Sequence, residues 1–206
     1  MFDCAQVFVD IDTQRDFLEP EGALYVPGSD LIVPNLGRLT NYALDHGIPV
    51  LATACAHAPD DPELRHFPPH CLVGTRGQER IAATYRADSL VLGSKQALDG
   101  ELPRHLTLEK RELDLFTHPH AEAILARYRA KHPVFVVYGV ATDYCVKAAV
   151  EGLVERNCRV ALVVDAIRAI DADVEADLLT SFARRGVLLT LTEVVCAPDR
   201  RVLIDA

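Results

Sequence analysis

The chain has 206 residues, 50% of them hydrophobic and 25% charged, with a formal net charge of −9. This composition is that of a globular α/β domain and excludes a disordered chain, while the acidic balance argues against binding a phosphate backbone, which needs clustered Lys and Arg. No apolar stretch approaches the roughly 18 to 20 residues of a membrane helix, and MFDCAQ lacks the basic start and apolar core of a secretion signal, so a cytoplasmic protein with neither nucleic acid nor membrane as partner is expected. The 6 cysteines are scattered, and a reducing compartment would keep them as thiols.

In chain order, the apolar run QVFVDI (6–11) reads as a buried strand that breaks into a polar cluster holding Asp10, Asp12, Gln14 and Asp16. A helix follows, beginning between Ser29 and Pro34, with Leu36, Leu39 and Ala43 inward and Gly47 as its stop. The second strand is IPVLATA (48–54), and after it residues 56 to 80 carry no periodicity. Rich in Pro, His and Asp, and containing FPPHC, that stretch is expected to be an ordered functional loop.

Further strands are read at SLVLGS (89–94), PVFVVYG (133–139), RVALVVDA (159–166) and GVLLTLT (186–192). Three sets at helical spacing mark helices with one buried face: Ile124, Leu125 and Tyr128; Val146, Ala149, Val150 and Leu153; Val174, Leu178 and Phe182. Strands alternating with helices predict a three-layer α/β/α fold with a largely parallel, Rossmann-like sheet of about six strands, one domain over residues 1–206.

Ligands of such sheets bind beyond the carboxyl ends of the strands. Asp12 follows the first strand, Cys55 and His57 the second, Lys110 the short run LTLE, and Cys145 the strand ending at Tyr138, so all should emerge on one edge. Cys145 lies two residues after Asp143, whose carboxylate can cap the next helix, and a thiol at a helix start is stabilised as a thiolate. An acid at a strand end, Asp12, can take a nucleophile's proton and return it to a leaving amine. Lys110 can hold thiolate and carboxylate in place between them. Taken singly, each of these residues has a plain structural reading as buried thiol, turn-capping acid or surface charge.

In order along the chain, DTQRDF (12–17), GALYVPGSD (22–30), EKRELDLF (109–116) and GVATDYC (139–145) resemble the motifs of the isochorismatase-like cysteine hydrolases, and among them the nicotinamidase-related amidases. The resemblance implies that Cys145 is the nucleophile, Asp12 the general base and acid, and Lys110 the residue orienting the pair, with Lys95 in GSKQ ranked second. It also implies a cis peptide between Val140 and Ala141 that would aim the N–H groups of Ala141 and Cys145 at one oxyanion. Nicotinamidases hold a divalent metal with Asp-x-His and a distant His, and the sequence is similar at CAH and PPH except that Cys55 stands where the acid is expected. Cys55, His57 and His70 are therefore the candidate ligands, with zinc favoured and His66 and Asp61 as substitutes.

Phe17, Phe67, Phe116 and Tyr144 flank the motifs and are candidates for the pocket wall around a flat ring. Cys4, Cys158 and Cys196 are read as packing residues. The expected function is hydrolysis of a small, nicotinamide-like carboxamide through a cysteine thioester, with no organic cofactor. Family members commonly self-associate, which implies a homo-oligomer. The alternatives are a carbamoyl or ureide amidohydrolase, an isochorismatase-type hydrolase, and, in a different class, a noncatalytic binding or redox-thiol module.

Overall fold

The structure, a computed structural model, describes residues 6–197, so Cys4 lies outside the described residues. Seven parallel strands form one sheet: β1 (Gln6–Ile11), β2 (Val50–Cys55), β3 (Leu90–Leu92), β4 (His105–Lys110), β5 (Val134–Val140), β6 (Arg159–Arg168) and β7 (Leu188–Thr190). Their spatial order is β3-β4-β2-β1-β5-β6-β7. The helices are α1 (Arg15–Leu18), α2 (Val33–Asp45), α3 (Ala121–Arg129), α4 (Lys147–Glu155), α5 (Ala172–Arg184) and α6 (Thr192–Val195).

The residue alternation of β1 places Val7, Val9 and Ile11 in one apolar cluster with Ile124 of α3, Val150 of α4 and Phe182 of α5. Phe8 faces the other way, into a second cluster with Leu36 and Leu39 of α2 and Val195 of α6. Each face of the sheet thus buries its own core, as the three-layer expectation requires. None of the helices among the described residues is long and apolar enough to cross a membrane.

All six expected strands are present, and β4 is the seventh. In HLTLEK, Leu106 and Leu108 are fully buried while His105, Thr107 and Glu109 alternate with them. That polar alternation made only a short run of what is a central-sheet strand. At the carboxyl end, β7 is shorter than expected because Thr192 already opens α6. In α5, Phe182 is buried and Leu178 partly so, but Val174 is exposed, so the buried face is narrower than its spacing suggests.

No α-helix connects β2 to β3. Residues 56–89 cross instead as an irregular segment with short 3-10 turns at Pro62–Arg65 and Arg76–Gln78. Part of that sheet face is left open, forming a cavity of about 610 Å³ floored by Val50, Ala52 and Ala54 of β2.

Close approach of β1 to β5 depends on Gly139. Its φ is +119°, and a Cβ there would stand 2.1 Å from the Ile11 carbonyl oxygen. Both the conformation and the spacing exclude a side chain. Gly139→Ala is therefore expected to cost at least about 2 kcal/mol of stability, measured as a lower urea midpoint against wild type. An unchanged midpoint would show that β1 tolerates the displacement.

Candidate active site

The sheet reverses its winding between β1 and β5, since the chain passes from β1 to β2 on one side and returns to β5 on the other. The crevice at such a reversal is where this architecture binds ligands. Parallel pairing sets Cys55 beside Lys110 and Ile11 beside Gly139, so the residues that end or follow these strands meet at one edge. Asp12 adopts φ +48°, which ends β1 and turns its carboxylate away from the side occupied by Asp10.

Lys110 is the centre of the arrangement. Its side chain is 1% exposed, and Nζ lies 2.8 Å from Oδ2 of Asp12, which is itself fully buried. The same nitrogen donates to Sγ of Cys145 at 3.5 Å, to Sγ of Cys55 at 3.5 Å and to the Glu112 carbonyl at 3.1 Å. The remaining Asp12 oxygen accepts from Thr53 Oγ1 at 2.6 Å, and that hydroxyl oxygen accepts the Asp12 N–H at 3.2 Å. Burial alone would lower the Lys110 pKa, but Asp12 and then the two sulfurs outweigh it and hold the ammonium well above its usual value.

Cys145 departs from expectation in its protonation. The hydrogen bond to Cys55 and burial push its thiol well above the ordinary range, and the opposing pull of Lys110 does not offset them. The shift favours the neutral thiol. The helical segment carrying Cys145 begins as a π turn, Thr142–Val146, and continues into α4. Asp143 does not cap it: its two carboxylate oxygens accept the N–H groups of Ile170 and Asp171, each at 3.0 Å, tying the turn to the end of β6. The Val140–Ala141 peptide is cis, and both Ala141 and Cys145 line the cleft.

Cys55, His57 and His70 come together with their ligand atoms within 4.8 Å of one another, all three buried. His57 Nδ1 faces Asp61 Oδ2 at 3.4 Å, and His70 Nδ1 bonds the Pro68 carbonyl at 2.8 Å. His70 is thus oriented through Nδ1, as ligating histidines commonly are, while Nδ1 of His57 has the Asp61 contact but no hydrogen bond. Nε2 of His57 is buried with no hydrogen-bond partner. Burial lowers the pKa of both rings, keeping them neutral. An orphaned buried nitrogen beside a second imidazole and a sulfur fits a divalent ion with zinc-type preferences. His66 is exposed and outside this cluster, and Asp61 supports His57 while pairing with Arg111.

The cleft wall contains Phe17, Phe67 and Tyr144, as expected, with ring contacts of 5.3 Å from Phe17 to His70 and 5.3 Å from Phe67 to Tyr144. Phe116 does not reach it. It packs against Gly152 of α4 beneath the guanidinium of Arg156, because the turn after Lys110 leads away from the crevice. Lys95 is exposed and takes no part. Cys158 and Cys196 are half-buried against the two cores, in keeping with packing roles.

Glu63 and Thr53 were not singled out in the sequence. Glu63 lines the cleft, and burial raises its carboxyl pKa. A glutamate within PELR carries no local signal of this placement. The polar cluster after β1, by contrast, proves to be a set of anchors. Gln14 donates to the carbonyls of Cys55 at 2.8 Å and Gln78 at 2.7 Å, and accepts the Cys55 N–H at 2.7 Å. Asp16 accepts the N–H groups of Cys71 at 2.6 Å and Ala23 at 3.0 Å.

Residues 6–194 match the family model described as the isochorismatase domain, and the chain belongs to that family. Nicotinamidase 1 of Arabidopsis thaliana is 30% identical over 118 residues, 56% of this chain and 44% of that protein, so the match spans less than half of that relative's length. Among solved structures, the nicotinamidase of Bacillus subtilis superposes with a TM-score of 0.76 at 20% identity, covering 90% of this chain and 99% of that one. The pyrazinamidase of Pyrococcus horikoshii, solved in complex with zinc, gives 0.73 at 25% identity, covering 91% and 99%. N-carbamoylsarcosine amidase from Thermoplasma acidophilum gives 0.73 at 24%, covering 91% and 96%.

Lys110→Met should leave the Asp12 carboxylate buried without its counter-ion, and removing one partner of such a pair costs about 3 to 5 kcal/mol. Urea denaturation of the variant should show this loss. A change below about 1 kcal/mol would mean the pair is solvated as surface pairs are.

Proposed function

We propose that the chain is a cysteine-dependent amidohydrolase that cleaves the C–N bond of a small, nicotinamide-like carboxamide. The observation that carries this reading is the buried ammonium of Lys110 in contact with both Asp12 and Cys145. A proton acceptor and a thiol held by one cation, at the edge of a cleft, form a unit for nucleophilic acyl transfer.

In the proposed sequence, the neutral Cys145 thiol gives its proton to Asp12 as sulfur attacks the carbonyl carbon. The N–H groups of Ala141 and Cys145 receive the oxyanion. Asp12 then returns the proton to the departing nitrogen, ammonia leaves, and a thioester remains. In the second half Asp12 draws a proton from water, which attacks the thioester and restores the thiol. Lys110 pairs with Asp12 at the start and offsets negative charge as it passes between oxygen and sulfur.

Phe17, Phe67 and Tyr144 supply flat apolar walls suited to an aromatic ring. Cys55, His57 and His70 would hold a divalent ion, which supplies a Lewis acid for anchoring a ring nitrogen. Support for this comes from the buried, unpartnered Nε2 of His57 and from the zinc complex of the Pyrococcus pyrazinamidase.

Ammonia release measured across a panel of aromatic carboxamides, carbamoyl compounds and ureides, with and without chelator, tests the substrate class. Cys145→Ala and Cys145→Ser should each lose nearly all turnover while remaining folded. Asp12→Asn should fail as severely on amides but recover in part on activated esters, whose leaving groups need no proton. Equal loss on both would leave Asp12 without its acid role.

Metal content is a separate test. Protein purified without chelator should carry zinc near one per chain, and Cys55→Ala should lower it. Cys55→Asp should keep binding but accept a wider range of metals, because oxygen discriminates less strongly for zinc than sulfur does. Full activity in metal-free protein would detach the cluster from catalysis.

A further inference from the structure

A cysteine at position 55 places a second thiol at the reaction centre. Sγ of Cys55 and Sγ of Cys145 each lie 3.5 Å from the same Lys110 Nζ, and both residues line the same cleft. Catalysis through Cys145 requires no second thiol, and the proposed metal role of Cys55 does not by itself account for a sulfur sharing the Lys110 ammonium with Cys145. Two thiols sharing one ammonium form the arrangement of an attacking cysteine and its resolving partner.

We infer that Cys55 and Cys145 form a reversible disulfide when the cleft is exposed to a hydroperoxide. The inference rests on the proposed nucleophilic role of Cys145 only for its effect on activity; bond formation itself depends on the juxtaposition of the sulfurs. In the first step Cys145, its proton passed to Asp12, attacks one peroxide oxygen. The O–O bond breaks, the other oxygen leaves as water or an alcohol after taking up a proton, and Cys145 becomes a sulfenic acid.

In the second step Cys55 sulfur attacks Cys145 sulfur. The S–O bond breaks, and the hydroxyl leaves as water with the proton that Cys55 gives up. Overall, two thiols lose two electrons and two protons, and one hydroperoxide is reduced.

Other thiols are less well placed. Cys71 is fully buried, and its Sγ turns to the Gly77 carbonyl at 3.9 Å. Cys158 and Cys196 lie against the outer margins of the two cores. Among the described residues, Cys55 is therefore the resolving partner the geometry selects. The linkage removes the nucleophile and one metal ligand in a single event, and a reducing thiol restores both. It also protects Cys145, because a sulfenic acid captured as a disulfide is not carried on to the irreversible sulfinic and sulfonic acids.

The test is intact-mass and peptide mapping of the purified full chain, metal-free and zinc-loaded, after graded hydrogen peroxide. Wild type should lose two hydrogens and yield a Cys55–Cys145 cross-linked peptide that dithiothreitol reverses. Zinc loading should slow formation, and the linkage should expel the ion, read with a colorimetric zinc indicator. Cys55→Ser and Cys55→Ala should instead accumulate Cys145 with two added oxygens, and dithiothreitol should not reverse it.

Sulfinic acid forming on Cys145 at the same rate in wild type and both variants would overturn the inference. So would a cross-link from Cys145 to Cys71. Mass readouts do not depend on turnover, so a wild type that forms the cross-link yet hydrolyses no amide would sink the proposed function and leave the disulfide standing.

Discussion

The ion pair between Lys110 and Asp12 is the constraint on which the reaction centre depends. Two charges removed from water are costly to hold, and their attraction offsets that cost only when geometry and further hydrogen bonds are good. Here the carboxylate is completed by Thr53 and the ammonium by the Glu112 carbonyl and two sulfurs. Neighbouring parallel strands supply these groups within a residue or two of their ends, except Cys145, which follows β5 on the π turn. Sheet register therefore sets the geometry of the candidate site directly. A slip of one residue in β4 would turn Lys110 to the opposite face, leaving Asp12 uncompensated.

The neutral state of the Cys145 thiol follows from the same enclosure. A second thiol beside it and burial favour the protonated form, and one ammonium already committed to Asp12 does not reverse this. A permanently ionised thiolate would compete with Asp12 for Lys110. In the proposed mechanism, keeping the proton on sulfur until a carbonyl arrives leaves the ion pair intact between turnovers.

Much of this was legible in the sequence because strand ends are strongly marked. Asp12, Cys55, Lys110 and Cys145 each follow apolar runs, and the reversal of winding in a parallel sheet dictates where such residues meet. Less legible was anything depending on the direction of an irregular segment. Phe116 sits six residues past Lys110, yet the turn between them carries it to the back of α4. Asp143 had the spacing of a helix cap but bonds instead to the end of β6, a partner 27 residues away that no local rule could supply. β4 was under-read because its Thr and Glu alternate with Leu on the face that opens to the cavity. Glu63 reaches the cleft through tertiary folding of the long crossover alone.

The way that crossover is held has a consequence for how the protein can change. Gln14 and Asp16 grip it through the backbone atoms of Gln78 and Cys71, and the main chain adds Arg15 N–H to Glu79 and Ile81 N–H to Thr13. These anchors read peptide groups, and only at Gly77, where a Cβ would stand 2.1 Å from Asp16 Oδ2, and at Arg80, which pairs with Asp10, does the fixing depend on the side chain. Residues such as Glu63, Phe67 and His70 are therefore displayed on a scaffold whose fixing does not depend on them. Divergence can rewrite what the cleft recognises while the sheet-borne chemistry beneath it stays still, which makes this single irregular stretch the natural locus of new specificities.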